Sequence, residues 1–154
     1  FIPVHNTHPI PGSFSNTFTD HVGQQKIKAI AYPVHGGKDE FESTATYYGP
    51  AYQVTKMHGK GLGVIINAHT PIDDENVMLR FGVSMKATKG MTDELIDHFI
   101  NNMRDGYLQD VQIWENKIYL DRPMLCDGDG PIGEFRRWYA RFYEPRTKAA
   151  DAAE

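Results

Sequence analysis

The chain has 154 residues, 40% of them apolar and 23% charged, with a formal net charge of −4. This is enough for one globular domain with a real core. The acidic balance excludes a general nucleic-acid binder, which needs a basic surplus or a basic stripe. The single cysteine, Cys126, excludes an internal disulfide and any iron–sulfur cluster held within this chain, because even the mixed Cys/His kind takes two cysteines. No apolar run approaches the roughly 20 residues of a membrane helix. With no secretory n-region or h-region either, a cytoplasmic protein is the expectation.

The chain opens abruptly on Phe1-Ile2-Pro3-Val4-His5, as a piece of a longer polypeptide would. Pro3, Pro9 and Pro11 disfavour a regular helix here. His5 and His8 are therefore metal-ligand candidates by residue type, not by helical spacing. Residues 25–34 read as a strand whose end Pro33 pushes towards a sheet edge. Residues 41–48, rich in Thr and Tyr, form the next strand. Residues 51–58 form another, entered through Gly49-Pro50. Residues 63–70 follow, and the turn-rich segment 71–76 leads into 77–86, where Val77, Leu79, Phe81, Val83 and Met85 alternate with more polar residues in strict period two. Short connections between consecutive strands imply an antiparallel meander.

Helices come last. Thr92 is an N-cap before the acidic pair Asp93-Glu94. Ile96, Phe99, Ile100, Met103, Tyr107, Val111 and Trp114 then step by three and four to about Asn116. Pro131 opens a second helix, with Ile132, Phe135, Trp138, Tyr139 and Phe142 as its apolar stripe and Arg136, Arg137 and Arg141 outside it. Strands first and helices afterwards is the α+β pattern. A long helix laid across a curved antiparallel sheet would enclose a cavity. The domain runs over residues 1–145, and 146–154 form a polar, alanine-rich tail.

Within this frame Asp110 falls three after Tyr107 and four before Trp114, beside the buried stripe. A buried carboxylate needs a cationic partner or a metal, so Asp110 is either a ligand or an ion-pair or edge residue. Asn67 and His69 share one side of a strand. They are either polar groups in an apolar pocket, the usual way a site orients its ligand, or solvent-facing. Tyr47, Tyr48 and Tyr52 line the same space or simply pack. Gly59, Gly61 and Gly63 lack the following Gly-Lys-Ser/Thr of a phosphate loop. There is no Gly-x-Ser-x-Gly elbow, and Cys126 has no helix start behind it to activate a thiolate.

Several stretches resemble the C-terminal catalytic half of Rieske-type non-haem iron oxygenases. They are Gln109 to Lys117, Asp121-Arg122-Pro123, Asp127 to Pro131, and Phe135-Arg136-Arg137-Trp138-Tyr139 to Phe142-Tyr143. His69-Thr70-Pro71-Ile72-Asp73 and Phe14 to Gln24 add to the likeness, which covers nearly the whole chain. The nearest branch is similar to the oxygenase component of 3-ketosteroid 9α-hydroxylase and to cholesterol 7-desaturases.

The resemblance implies a helix-grip (START-like) antiparallel sheet wrapped around a long helix. It implies a monooxygenase acting on a hydrophobic, steroid-like substrate with dioxygen. Two histidines and an aspartate would hold a mononuclear Fe(II), a facial triad with open positions. The aspartate maps onto Asp110 and the second histidine onto His5. The first histidine belongs five residues before His5, ahead of Phe1, as does the Rieske domain with its [2Fe–2S] cluster. Electrons would come from NAD(P)H through a reductase or ferredoxin, and the full-length enzyme would be a homotrimer. The chain alone would be inactive. Asn67, His69, Met103 and Tyr107 are the expected substrate-facing residues. Two rivals remain. One is a non-catalytic helix-grip domain that binds a lipid or sterol-like ligand, since fold alone does not fix function. The other is a zinc hydrolase using His5, His8 and Asp110, which lacks a zinc motif.

Overall fold

A computed structural model describes residues 7–32, 37–59, 63–86, 90–126 and 129–143. Their elements are β1 (Thr7–Pro9), β2 (Ser15–Phe18), β3 (Val22–Ala31), β4 (Asp39–Tyr48), β5 (Tyr52–Gly59), β6 (Gly63–Pro71), β7 (Val77–Met85), α1 (Asp93–Trp114) and α2 (Ile132–Ala140). The fold is α+β, as the order of the periodicities implies. All pairings are antiparallel, in the order β1-β3-β4-β5-β6-β7, and β2 shares with β1 the outer edge of β3.

The strand expected over 25–34 begins earlier, at Val22, and is not an edge strand. β1 and β2 cover its free side at Ala29–Ala31 and Gly23–Lys26. These two strands have only three and four residues, too short for period two to show against the neighbouring prolines and polar residues. Pro33 lies outside the described residues.

The connections follow local chemistry. Gly49 adopts φ 69°, a left-handed conformation that side chains resist, and turns β4 into β5. Asp73 organises the β6–β7 turn, its Oδ1 accepting from the backbone N–H groups of Glu75 at 2.9 Å and Asn76 at 2.7 Å. The Asn76 side-chain amide, donating to Oδ1 at 2.8 Å and Oδ2 at 3.0 Å, and then the backbone bonds hold the Asp73 carboxyl below its ordinary range.

Register decides which residues look inward. Phe18 stands opposite Gly23, Gly23 opposite Tyr47, Tyr47 opposite Gln53, Gln53 opposite Asn67 and Asn67 opposite Phe81. Directly opposed residues share a face, so these six form one row across the sheet. Buried Ala29 and Ile65 lie on the same face by the alternation of their strands.

The two helices cover this face in different ways. α2 is packed tightly. Trp138 is 2% exposed and its indole N–H donates to the Thr19 carbonyl at 2.6 Å. Phe18, Tyr47, Phe135 and Phe142 surround its ring with centroids 5.1–6.5 Å away. Gly23 lies beneath it, where an added Cβ would meet the indole at 3.3 Å. α1 is loosely packed. Thr92 caps it, accepting from the Leu95 N–H, and Asp93 and Glu94 face the positive end of its dipole. None of its residues is fully buried. Ile96, Phe99, Met103, Tyr107, Asp110 and Val111 are half-buried, whereas Ile100 and Trp114 are more than 40% exposed. The inward stripe is thus narrower than the apolar pattern suggests. A Cβ at Gly106 would touch nothing within 4 Å.

Candidate functional site

The site is the meeting of α1 with β5, β6 and β7. Tyr107 reaches down from the helix and stacks on Phe81, ring centroids 4.4 Å apart and planes 23° from parallel. Its O–H donates to Asn67 Oδ1 at 2.9 Å. The Asn67 Nδ2 in turn donates to Gln53 Oε1 at 2.8 Å. Asn67 is 8% exposed, so this polar chain lies inside, and each bond satisfies a group that would otherwise be costly to bury. Burial pushes the Tyr107 phenol above its ordinary pKa. The bond to Asn67 pulls it back, and the charge of nearby Asp110 raises it again. Burial also raises Tyr47, with Tyr107 as the second cause, so these two phenols share the interior between α1 and α2.

The expected site residues separate accordingly. Asp110 is half-buried one turn beyond Tyr107, close enough to act on its phenol. Met103 is half-buried one turn before it on the same flank. Asn67 and His69 do face inward. His69 nevertheless belongs to a different cleft, of about 510 Å³, between the β5–β6 strand ends and α2, which Pro50, Pro71, Val77, Tyr139 and Phe142 also line. The His69 backbone N–H donates to the Ala51 carbonyl at 2.8 Å. Its ring Nδ1 is buried with no hydrogen-bond partner among the described residues. Tyr47 packs against α2, while Tyr48 and Tyr52 are exposed.

His5 lies outside the described residues. His8 is exposed and stands opposite Ile30, on the sheet face away from Asn67, with its ring edge-on to Tyr32 at 5.0 Å. A zinc centre joining it to Asp110 is therefore ruled out by the side of the sheet it occupies. Among the described residues no group of three His, Cys, Asp or Glu side chains comes together. Asp110 is an inward-flank carboxylate beside a hydrogen-bonded aromatic. Gln53 and Phe81 are site residues that periodicity alone did not single out. Pairing β5 and β7 with Asn67 in register would have found both.

Several known proteins are similar to this chain. An oxygenase component of 3-ketosteroid-9-alpha-monooxygenase from Rhodococcus rhodochrous is 34% identical over all of this chain, which covers 43% of that relative. The protein of the same name from Mycobacterium tuberculosis is 32% identical over 87% of the chain and 39% of its own length. A cholesterol 7-desaturase from Xenopus laevis is 36% identical over 54% of the chain and 18% of its own length. The chain thus spans about two fifths of the length of the monooxygenase components it matches. The model of the 3-ketosteroid 9alpha-hydroxylase C-terminal domain matches residues 1–143, which takes in all nine elements described above, and the chain belongs to that family.

Proposed function

We propose that this chain is the catalytic domain of a Rieske-type oxygenase that oxidises a sterol-class substrate bearing an oxygen at C3. Asp110 and His5 would be two ligands of its mononuclear Fe(II). The observation that carries the reading is Asp110 itself: a half-buried carboxylate on the inward flank of α1, one turn from the Tyr107–Asn67–Gln53 chain. Family membership and the names of the relatives support the substrate class.

When bound, the iron would supply dioxygen activation, with electrons delivered from NAD(P)H by a reductase or ferredoxin through a [2Fe–2S] cluster outside this chain. What this chain's own residues do is position and exclude. Phe81 and Met103 give an apolar wall. Tyr107 and Asn67 supply fixed polar groups within it, and a rigid apolar substrate is oriented by few such contacts. A neutral Tyr107 suits this role: a phenol is protonated at physiological pH at its ordinary pKa, and burial raises it further. The full enzyme is proposed as a cytoplasmic homotrimer.

The test uses the complete gene product with its reductase, NADH and a 3-ketosteroid. Wild type should hold iron and consume oxygen in a substrate-dependent way. Asp110→Ala and His5→Ala should each lose most iron by metal analysis and turn over at least about 100-fold more slowly, as removal of a metal ligand does. Stoichiometric iron and near-normal turnover in Asp110→Ala would refute the ligand assignment. Tight sterol binding with neither iron nor turnover in the wild type would instead favour the non-catalytic binder.

A further inference from the structure

We propose that the outer face of the sheet, the one turned away from Asn67 and from both helices, docks on an anionic lipid surface. The inference rests on the sterol reading above for its purpose alone: an apolar substrate of that class partitions into membranes, and an enzyme held there meets it at high local concentration. The docking itself is read from charge and exposure.

Strand alternation assigns the residues of this face. Lys26 and Lys28 on β3, Lys56 on β5 and Arg80 on β7 all fall opposite in parity to the Asn67 row, and Lys86 continues the alternation one residue past β7. All five are exposed, and none forms an ion pair among the described residues. Register spreads them over the face. Lys26 and Lys56 flank Thr44 from the two neighbouring strands, about 9–10 Å apart. Lys56 and Lys86 line one cleft with His58 and Ser84. The acids on the same strands and face are Glu40 and Glu42, so the face has a basic surplus in a chain whose net charge is −4. Asp73, Asp74 and Glu75 lie past the strand ends, in the β6–β7 turn at one rim.

The other side of the domain has the opposite sign. α1 carries Asp93, Glu94, Asp97, Asp105 and Asp110 against Arg104. An anionic plane therefore attracts the sheet face and repels the helix face, and the domain is oriented before it makes contact. The cytoplasmic leaflet of a membrane supplies such a plane.

Charge alone would fit an acidic protein as well, and two features favour lipid. The cations are dispersed over the face and do not ring a groove. Val54, Ile66 and Gly82 form the row through its middle, and nothing within 4 Å stands over Gly82, so the centre is low and apolar. At one end Tyr48 and Tyr52 are 53% and 41% exposed with ring centroids 6.2 Å apart. An apolar ring with a polar tip suits the headgroup level of a bilayer.

Sedimentation of the complete gene product with vesicles tests this. Wild type should bind phosphatidylcholine–phosphatidylglycerol vesicles and not pure phosphatidylcholine, and should release as salt rises. A cation near an anionic bilayer is worth about fivefold in affinity, so Lys56→Gln with Lys86→Gln should bind about 10–30-fold more weakly. Lys26→Gln with Lys28→Gln, on the other side of the face, should do the same. Arg104→Gln, on α1, should change nothing. Absence of wild-type binding, equal binding to both kinds of vesicle, or a loss in Arg104→Gln as large as in the sheet variants overturns the proposal. If wild type ignores vesicles while the sheet variants raise the KM for the reductase, the face serves an acidic protein and the lipid assignment is wrong. Iron content and turnover of dissolved substrate are read separately, so each of these failures leaves the sterol reading intact.

Discussion

Tyr107→Phe isolates one hydrogen bond at the centre of the site. The ring remains, so its stacking on Phe81 at 4.4 Å is kept and α1 stays anchored. What is lost is the O–H donated to Asn67 Oδ1 at 2.9 Å. Asn67 is 8% exposed, so water cannot freely replace the donor. The cost is then that of leaving a buried acceptor unsatisfied, about 1–3 kcal/mol, and not the smaller net value of a surface bond. For a chain of this size that is a fall in melting temperature of about 3–10 °C. Urea denaturation gives the free energy, and a double-mutant cycle with Asn67→Ala gives the coupling, expected at about 1 kcal/mol. A loss under about 0.5 kcal/mol together with zero coupling would show that the bond does not hold helix to sheet.

Trp138→Ala should cost about 3–5 kcal/mol, because a fully buried indole leaves a cavity under α2; an intact near-UV circular dichroism spectrum and an unchanged melt would contradict that packing. Gly23→Ala should destabilise by about 1–3 kcal/mol through its close approach to the indole and to Phe18, read by the same melt. Gly106→Ala should do the opposite. Nothing obstructs its Cβ, and the helix gains about 0.5–1 kcal/mol from reduced backbone freedom, so a lower melting temperature would mean that the space over Tyr107 is filled. Burial raises Tyr47, Tyr107 and Tyr139 above the unfolded value of about 10. The folded state therefore holds these protons longer. Stability from this source is full below pH 10 and falls as pH rises beyond it, where the unfolded chain ionises first. Urea midpoints between pH 9 and 11 should show that decline, and Tyr47→Phe should make it shallower; an unchanged slope would count against the buried phenol.

Much of this architecture is legible in the residues, and the exceptions have physical causes. β7 announces itself because one face is half-buried and the other is wet, so Leu79, Phe81, Val83 and Met85 alternate visibly. α1 and α2 are legible from their caps and apolar steps. β1 and β2 are not, since three or four residues carry less than one useful period and are held by the edge of β3 instead of by their own pattern. The helical spacing placed Asp110 correctly on the inward flank, yet it overestimated Ile100 and Trp114, because a helix over a loosely filled interior buries a narrower strip than one on a packed core. Asn67 and His69 were legible as a same-face pair. Their assignment to separate clefts was not, since it depends on where α1 and α2 cross the sheet, and strand alternation carries no information about that.

The amide of Asn67 is held at both ends. Its oxygen accepts from Tyr107 and its nitrogen donates to Gln53, so turning it over would require the Gln53 amide to turn with it and the Tyr107 hydroxyl to accept instead of donate. A carboxamide has two N–H groups and two lone pairs, and one of each is spent on these neighbours. The remainder, one donor on the Gln53 side and one acceptor on the Tyr107 side, keeps a fixed polarity. A visiting molecule therefore meets a directional dipole already set before it arrives, and an inverted visitor finds its own polar groups mismatched. The direction of approach is thereby favoured by a side chain that has no charge.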